Sequence, residues 1–132
     1  MKYTPLKIPE VVLMTPEVYQ DQRGFFFETW RKDDFEKNIG NYSFVQDNYS
    51  KSTYGILRGL HFQIRHPQGK LARVTSGEVY DVAIDLRKNS PTFLKYYGAV
   101  LSADNFRSLY IPEGFAHGFQ VLSDEAIINY KV

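Results

Sequence analysis

The chain contains no cysteine. Disulfide bridges, thiolate metal sites and cysteine nucleophiles are excluded together. An excess of either charge is also missing: 16 lysines and arginines stand against 15 aspartates and glutamates, for a formal net charge of +1. Such a balance offers no general electrostatic attraction to nucleic acid or to a membrane surface, so an anionic ligand must be held by a few placed cations. No apolar run approaches the roughly 20 residues of a transmembrane helix. Met1-Lys2-Tyr3 leads into a mixed segment, not the apolar stretch of a secretory leader. A cytoplasmic protein with no nucleic-acid or membrane partner is the expectation.

Aromatic residues are abundant. Ten tyrosines and ten phenylalanines bring the aromatic share to 16%, a load that favours strands and pockets over helical bundles. A chain of 132 residues suits one domain with a single core.

Residues 8–14 predict an N-terminal strand, with Pro9 near its start where a proline is tolerated. Asp21-Gln22-Arg23-Gly24 reads as a turn, and the aromatic run from Phe25 to Trp30 as the strand after it. Asp33 or Asp34 is placed to cap a short helix that Gly40 ends. Residues 41–52 are polar around Phe44-Val45 and dense in hydrogen-bonding side chains. Gly55-Ile56-Leu57-Arg58-Gly59-Leu60-His61-Phe62-Gln63 then puts an arginine and a histidine in an otherwise apolar run. On a flat strand Arg58 and His61 point to opposite faces, unless Gly59 marks a bulge. Residues 78–86 alternate most cleanly: Tyr80, Val82, Ile84 and Leu86 share one face, and Val79, Asp81, Ala83 and Asp85 the other. Further strands are predicted over 70–75, 95–101, 107–111, 117–122 and 126–132. So many short strands predict an all-β antiparallel sandwich or small barrel, with one or two short helices.

Two histidines, His61 and His117, lie at predicted strand–turn junctions. Pro112-x-Gly114-x-x-His117 resembles the second motif of the cupin superfamily. In the place of the first motif stand His61 and Gln63, so an amide replaces one expected ligand, and no metal centre is expected.

A longer resemblance is more specific. Asp21-x-Arg23-Gly24-Phe25-Phe26-x-Glu28, Phe44-x-Gln46-Asp47-Asn48-x-Ser50 and Leu57-Arg58-Gly59-Leu60-His61-Phe62-Gln63 occur in fixed order. Gln68-Gly69-Lys70-Leu71, Gly77-Glu78-Val79-Tyr80-Asp81-Val82-Ala83-x-Asp85-Leu86-Arg87, Ser90-Pro91-Thr92-Phe93 and Ile111-Pro112-Glu113-Gly114-Phe115-Ala116-His117-Gly118-Phe119 follow. The set closely resembles the dTDP-4-dehydrorhamnose 3,5-epimerase family from about Ile8 onward. The resemblance implies a cofactor-free homodimer of cupin-like jelly-roll barrels acting on a thymidine-diphosphate 4-keto-6-deoxyhexose. Exchange of N-terminal strands between copies is expected with it, the 8–14 strand offering its edge.

Epimerising a carbon beside a ketone requires a base, a stabiliser for the enolate oxygen and an acid on the opposite face. By resemblance His61 is the base, Lys70 the group beside the C4 oxygen and Tyr130 the acid. Arg23 and Arg58 match diphosphate ligands, whose planar guanidinium groups offer paired donors. Phe26 matches a surface for thymine. Glu28, Gln46, Asp47 and Asn48 match hydrogen-bonding positions for base and sugar, and His117 a sugar contact. Asp81 is expected to look into the barrel and orient a histidine, and Asp85 to form a surface pair with Arg87. In the family an aspartate beyond the tyrosine strand orients the base; the sequence stops at Val132, and the pattern reads as lacking that C-terminal segment, with activity in question. A 3- or 5-only epimerase, a metal-binding cupin and a silent nucleotide-sugar-binding module stay open at this level.

Overall fold

The computed structural model describes all 132 residues. Twelve strands and one helix follow in the order β1 (Lys2–Pro5), β2 (Val12–Thr15), β3 (Tyr19–Asp21), β4 (Gly24–Phe26), α1 (Lys32–Asn38), β5 (Asp47–Thr53) and β6 (Leu57–His61). The second half adds β7 (Lys70–Ser76), β8 (Glu78–Asp85), β9 (Tyr96–Ser102), β10 (Ser108–Ile111), β11 (Phe115–Val121) and β12 (Glu125–Lys131). They form a six-stranded sheet ordered β1-β2-β10-β7-β12-β5, a four-stranded sheet ordered β6-β11-β8-β9, and the separate β3-β4 hairpin. Every pairing is antiparallel.

The main core lies between the two large sheets. Ala72, Val74, Ala126 and Ile128 from one sheet meet Val79, Ala83, Phe119 and Val121 from the other. A second cluster sits on the outer face of the six-stranded sheet, where Val12, Met14, Leu71 and Tyr110 are covered by Phe35 of α1. Trp30 and Phe44 pack edge-on against each other, with ring centroids 5.9 Å apart, and extend this cover.

Several expectations are corrected. The N-terminal strand shrinks from 8–14 to Val12–Thr15, because Ile8 and Val11 close a turn through a main-chain bond instead. β2 is also no edge, since β1 and β10 flank it on both sides. The aromatic strand stops at Phe26, and Phe27 turns back to pack on Phe106, 5.0 Å between centroids. The cap of α1 is Arg31 without a side-chain bond; Asp33 and Asp34 occupy the first turn, where carboxylates favour the positive end of the helix dipole. β5 carries no apolar alternation, because its inward side chains are polar.

On β8 the apolar alternation is inverted. Val79, Asp81, Ala83 and Asp85 are completely buried, whereas Tyr80 is 39% exposed. The face richer in hydrophobic side chains looks out, and the one carrying two aspartates looks in. Buried carboxylates are tolerated only where hydrogen bonds replace water, and both aspartates have them.

Candidate active site

The site begins at a bulge. His61 lies opposite His117 and Arg58 opposite Phe119, so three steps on β6 match two on β11. The extra residue brings Arg58 and His61 to the side of the sheet that carries His117 and Phe119, at an edge strand where both stay exposed. Gly59 has φ +120°, and a Cβ there would meet Gly118 Cα at 2.6 Å and the His117 carbonyl at 2.8 Å. Only a glycine facing a glycine lets the strands approach so closely.

Across the barrel, Tyr130 lies between Ala72 on one side and Asn48 on the other. Ala72 and Val74 belong to the interior cluster, so Lys70, two residues earlier, shares their face. Gln46 and Asn48 alternate inward as well, with Gln46 Nε2 donating to Asn48 Oδ1 at 2.7 Å. His61 and His117 are thus contributed by one sheet, and Lys70, Tyr130, Gln46 and Asn48 by the strands of the other or their extension.

Burial pulls the Lys70 ammonium below the ordinary lysine value, and the negative charge of Asp81 opposes that shift. Asp81 takes the Nε2–H of His117 between its two oxygens, at 2.8 and 2.9 Å. It orients His117 and not His61, whose ring makes no hydrogen bond within the chain. Arg58 donates through Nε to Ser52 Oγ at 2.8 Å and through a terminal nitrogen to the Lys51 carbonyl at 3.2 Å. Ser52 escaped the sequence reading; its signal was the inward alternation of Asn48, Ser50 and Ser52. A cleft of about 410 Å³ opens beside Lys70, lined also by Gln63, Gln68, Arg87 and Phe115.

Other expected site residues lie elsewhere. Asp47 points to the outer face, where both its oxygens accept from Lys131 Nζ at 2.8 Å. Arg23, Phe26 and Glu28 belong to the β3-β4 hairpin and the segment after it. Arg23 is paired with Asp21 in its own turn, and with Phe26 it lines an open cleft of about 510 Å³. Phe25 and Phe27 anchor this hairpin to Phe106, away from the Lys70 end of β7. Asp85 is no surface pair. Wholly buried, it accepts from the Arg87 main chain and guanidinium, from Ser90 and from Thr92. Those donors hold its carboxyl far below the usual range. No three histidine or carboxylate side chains converge as a metal site would require.

The fold and the interior define a jelly-roll barrel with acid–base groups gathered between two sheets. The family model described as dTDP-4-dehydrorhamnose 3,5-epimerase matches residues 5–132. The enzyme of that name from Pseudomonas aeruginosa is 58% identical over 99% of this chain and 73% of its own length. That from Shigella flexneri is 56% identical over 99% of this chain and 74% of its own. A solved dTDP-6-deoxy-D-glucose-3,5-epimerase of Legionella pneumophila, in complex with dTDP-4-keto-L-rhamnose, superposes with a TM-score of 0.96 at 47% identity. It covers 98% of this chain and 70% of its own. The chain belongs to the dTDP-4-dehydrorhamnose 3,5-epimerase family and has its cupin-like jelly-roll fold.

Proposed function

We propose that the chain epimerises C3 and C5 of dTDP-4-dehydro-6-deoxy-D-glucose to give dTDP-4-dehydro-L-rhamnose, with His61 as the base. The observation that carries this assignment is the origin of His61 and Tyr130 on opposing sheets, both facing the same interior. A sugar ring held between them meets a base on one face and a phenol on the other. His61 takes the proton from the carbon next to the C4 ketone, and the electron pair moves onto O4. The Lys70 ammonium stabilises the enolate oxygen; a single preorganised donor of this kind is worth about 2.7–4 kcal/mol. Tyr130 then returns a proton to the opposite face, inverting the carbon. Proton removal and return leave the oxidation level unchanged, so the reaction calls for no redox cofactor.

Arg58, held by Ser52, is assigned to the diphosphate. His117, Gln46 and Asn48 are assigned to sugar and base. Asp81 serves as the group that holds the His117 tautomer and supports the charge of Lys70.

The proposed assembly is a homodimer. Leu57 (70% exposed), Leu60, Tyr80, Val82 and Tyr96 form an uncovered apolar face on the four-stranded sheet. Such patches on soluble proteins mark interaction sites. With Arg23, Phe26 and Glu28 placed away from the chain's own interior, an exchange of N-terminal segments that brings them to the partner's site accounts for their position. Leu60→Glu with Tyr80→Glu is expected to give a monomer by light scattering; an unchanged mass would remove this face from the assembly.

The decisive test of function is proton NMR of dTDP-4-keto-6-deoxyglucose with the protein in deuterated water. Deuterium is expected at both C3 and C5 and lost with His61→Ala. Label at one carbon only would make the chain a mono-epimerase, and exchange that survives His61→Ala would reject His61 as the base.

A further inference from the structure

We propose that Tyr42 is a positioning residue for Lys70, acting through the main chain of Gly69. The inference rests on the role assigned to Lys70 above. The connection 62–69 joins the strand that ends in His61 to the strand that begins with Lys70. Its residues make no main-chain hydrogen bond outside the sheets and no side-chain bond except at one point. There the Tyr42 hydroxyl accepts the Gly69 N–H at 2.6 Å and donates to the Gly69 carbonyl at 3.3 Å. One phenol thus satisfies both main-chain groups of a buried residue, which would otherwise be left without partners.

Tyr42 is itself well held. Its ring lies 4.9 Å from Phe44 and 6.3 Å from Tyr110, centroid to centroid. Tyr110 faces Leu71, the neighbour of Lys70, across the β10–β7 pairing. A Cβ on Gly69 would lie 3.0–3.2 Å from the Tyr42 ring and hydroxyl, so any larger residue there would press the phenol out of place by a few tenths of an ångström. The aromatic cluster on the outer face of the sheet is therefore coupled to the start of β7, and through it to the ammonium on the inner face. Lys70 is partly buried, and its long, flexible side chain depends on its backbone for placement.

The test uses the intact chain with Tyr42→Phe, Gly69→Ala and Lys70→Met, and compares kcat, KM and the titration of Lys70 followed by carbon NMR of labelled lysine. Tyr42→Phe is expected to lower kcat about 10- to 100-fold with KM nearly unchanged, the scale of a misplaced catalytic group. The Lys70 midpoint should rise toward the ordinary lysine value as the loosened strand end admits water. Gly69→Ala, whose Cβ crowds the Tyr42 ring and hydroxyl while the phenol itself is kept, should do the same, and decides the matter if Tyr42→Phe does not fold. Unchanged kcat, or a lost kcat with an unmoved Lys70 midpoint, would overturn the proposal. Should Lys70→Met keep full exchange, the catalytic role of Lys70 fails, while the shift of its midpoint in Tyr42→Phe still judges the positioning.

Discussion

Asp81 and Asp85 sit four residues apart on the inner face of β8, both without solvent contact, yet they belong to different kinds of place. Asp85 is saturated. Five donors from Arg87, Ser90 and Thr92 surround it, and Arg87 reaches on to Glu10 at 2.9 Å, tying the loop after β8 to the N-terminal turn. Asp81 has one partner, the His117 ring, and leaves its remaining charge to act on Lys70. A carboxylate whose lone pairs are all taken holds structure. One with capacity to spare, buried beside an ammonium, tunes its neighbours.

The largest effect should come from breaking the saturated site. Asp85→Ala leaves the Arg87, Ser90 and Thr92 donors unpaired and is expected to cost about 3 kcal/mol of stability by urea denaturation. A loss below about 1 kcal/mol would show that the network adds little. His61→Ala supplies the opposite case: with an exposed ring and no internal hydrogen bond, it should reduce exchange about 10²- to 10⁴-fold while leaving thermal stability unchanged. Asp81→Asn is expected between them. Losing a charge-assisted hydrogen bond of about 1.5–3 kcal/mol lowers kcat roughly 10- to 100-fold, with a smaller stability loss than at Asp85. The contrast collapses if Asp81→Asn unfolds the chain as readily as Asp85→Ala.

The pH dependences should also separate the two. The Asp85 carboxyl titrates lower when folded than when unfolded, so its contribution is complete above the unfolded carboxylate value and disappears as pH falls toward the folded one. Asp85→Asn should flatten that acid-side slope; an unaltered slope would assign it to other groups. In the proposed mechanism Lys70 keeps its proton, and burial brings its titration below the ordinary lysine value. The basic limb of kcat should therefore fall early. Asp81→Asn removes the charge that supports the ammonium and moves the limb to still lower pH. This is the smallest effect, and a limb moving upward would contradict it.

Much of this was legible from residue order. Alternation over β8, the Gly24 turn and the motif series around His61, Lys70, Asp81 and His117 are local patterns, and local patterns survive in a linear string. Gly59 even carried the condition under which Arg58 and His61 could share a face. Less visible was β5, whose inward Asn48, Ser50 and Ser52 are polar and so break the apolar rhythm that reveals a strand. Asp85 looked like a surface partner of Arg87, since neither burial nor the Ser90 and Thr92 donors can be read from two neighbouring charges.

By itself the sequence determined the all-β character, the family and the identity of the chemical groups, because composition, period and motif depend on neighbours along the chain. Tertiary structure alone decided that Asp85 is buried on the inner face with Asp81, that Asp81 holds His117 and not His61, and that Asp47 and the Arg23 hairpin lie outside the barrel interior. Those outcomes depend on which strand lies across from which. Pairing partners are dozens of residues apart, and a one-residue bulge at Gly59 is enough to change what faces the site.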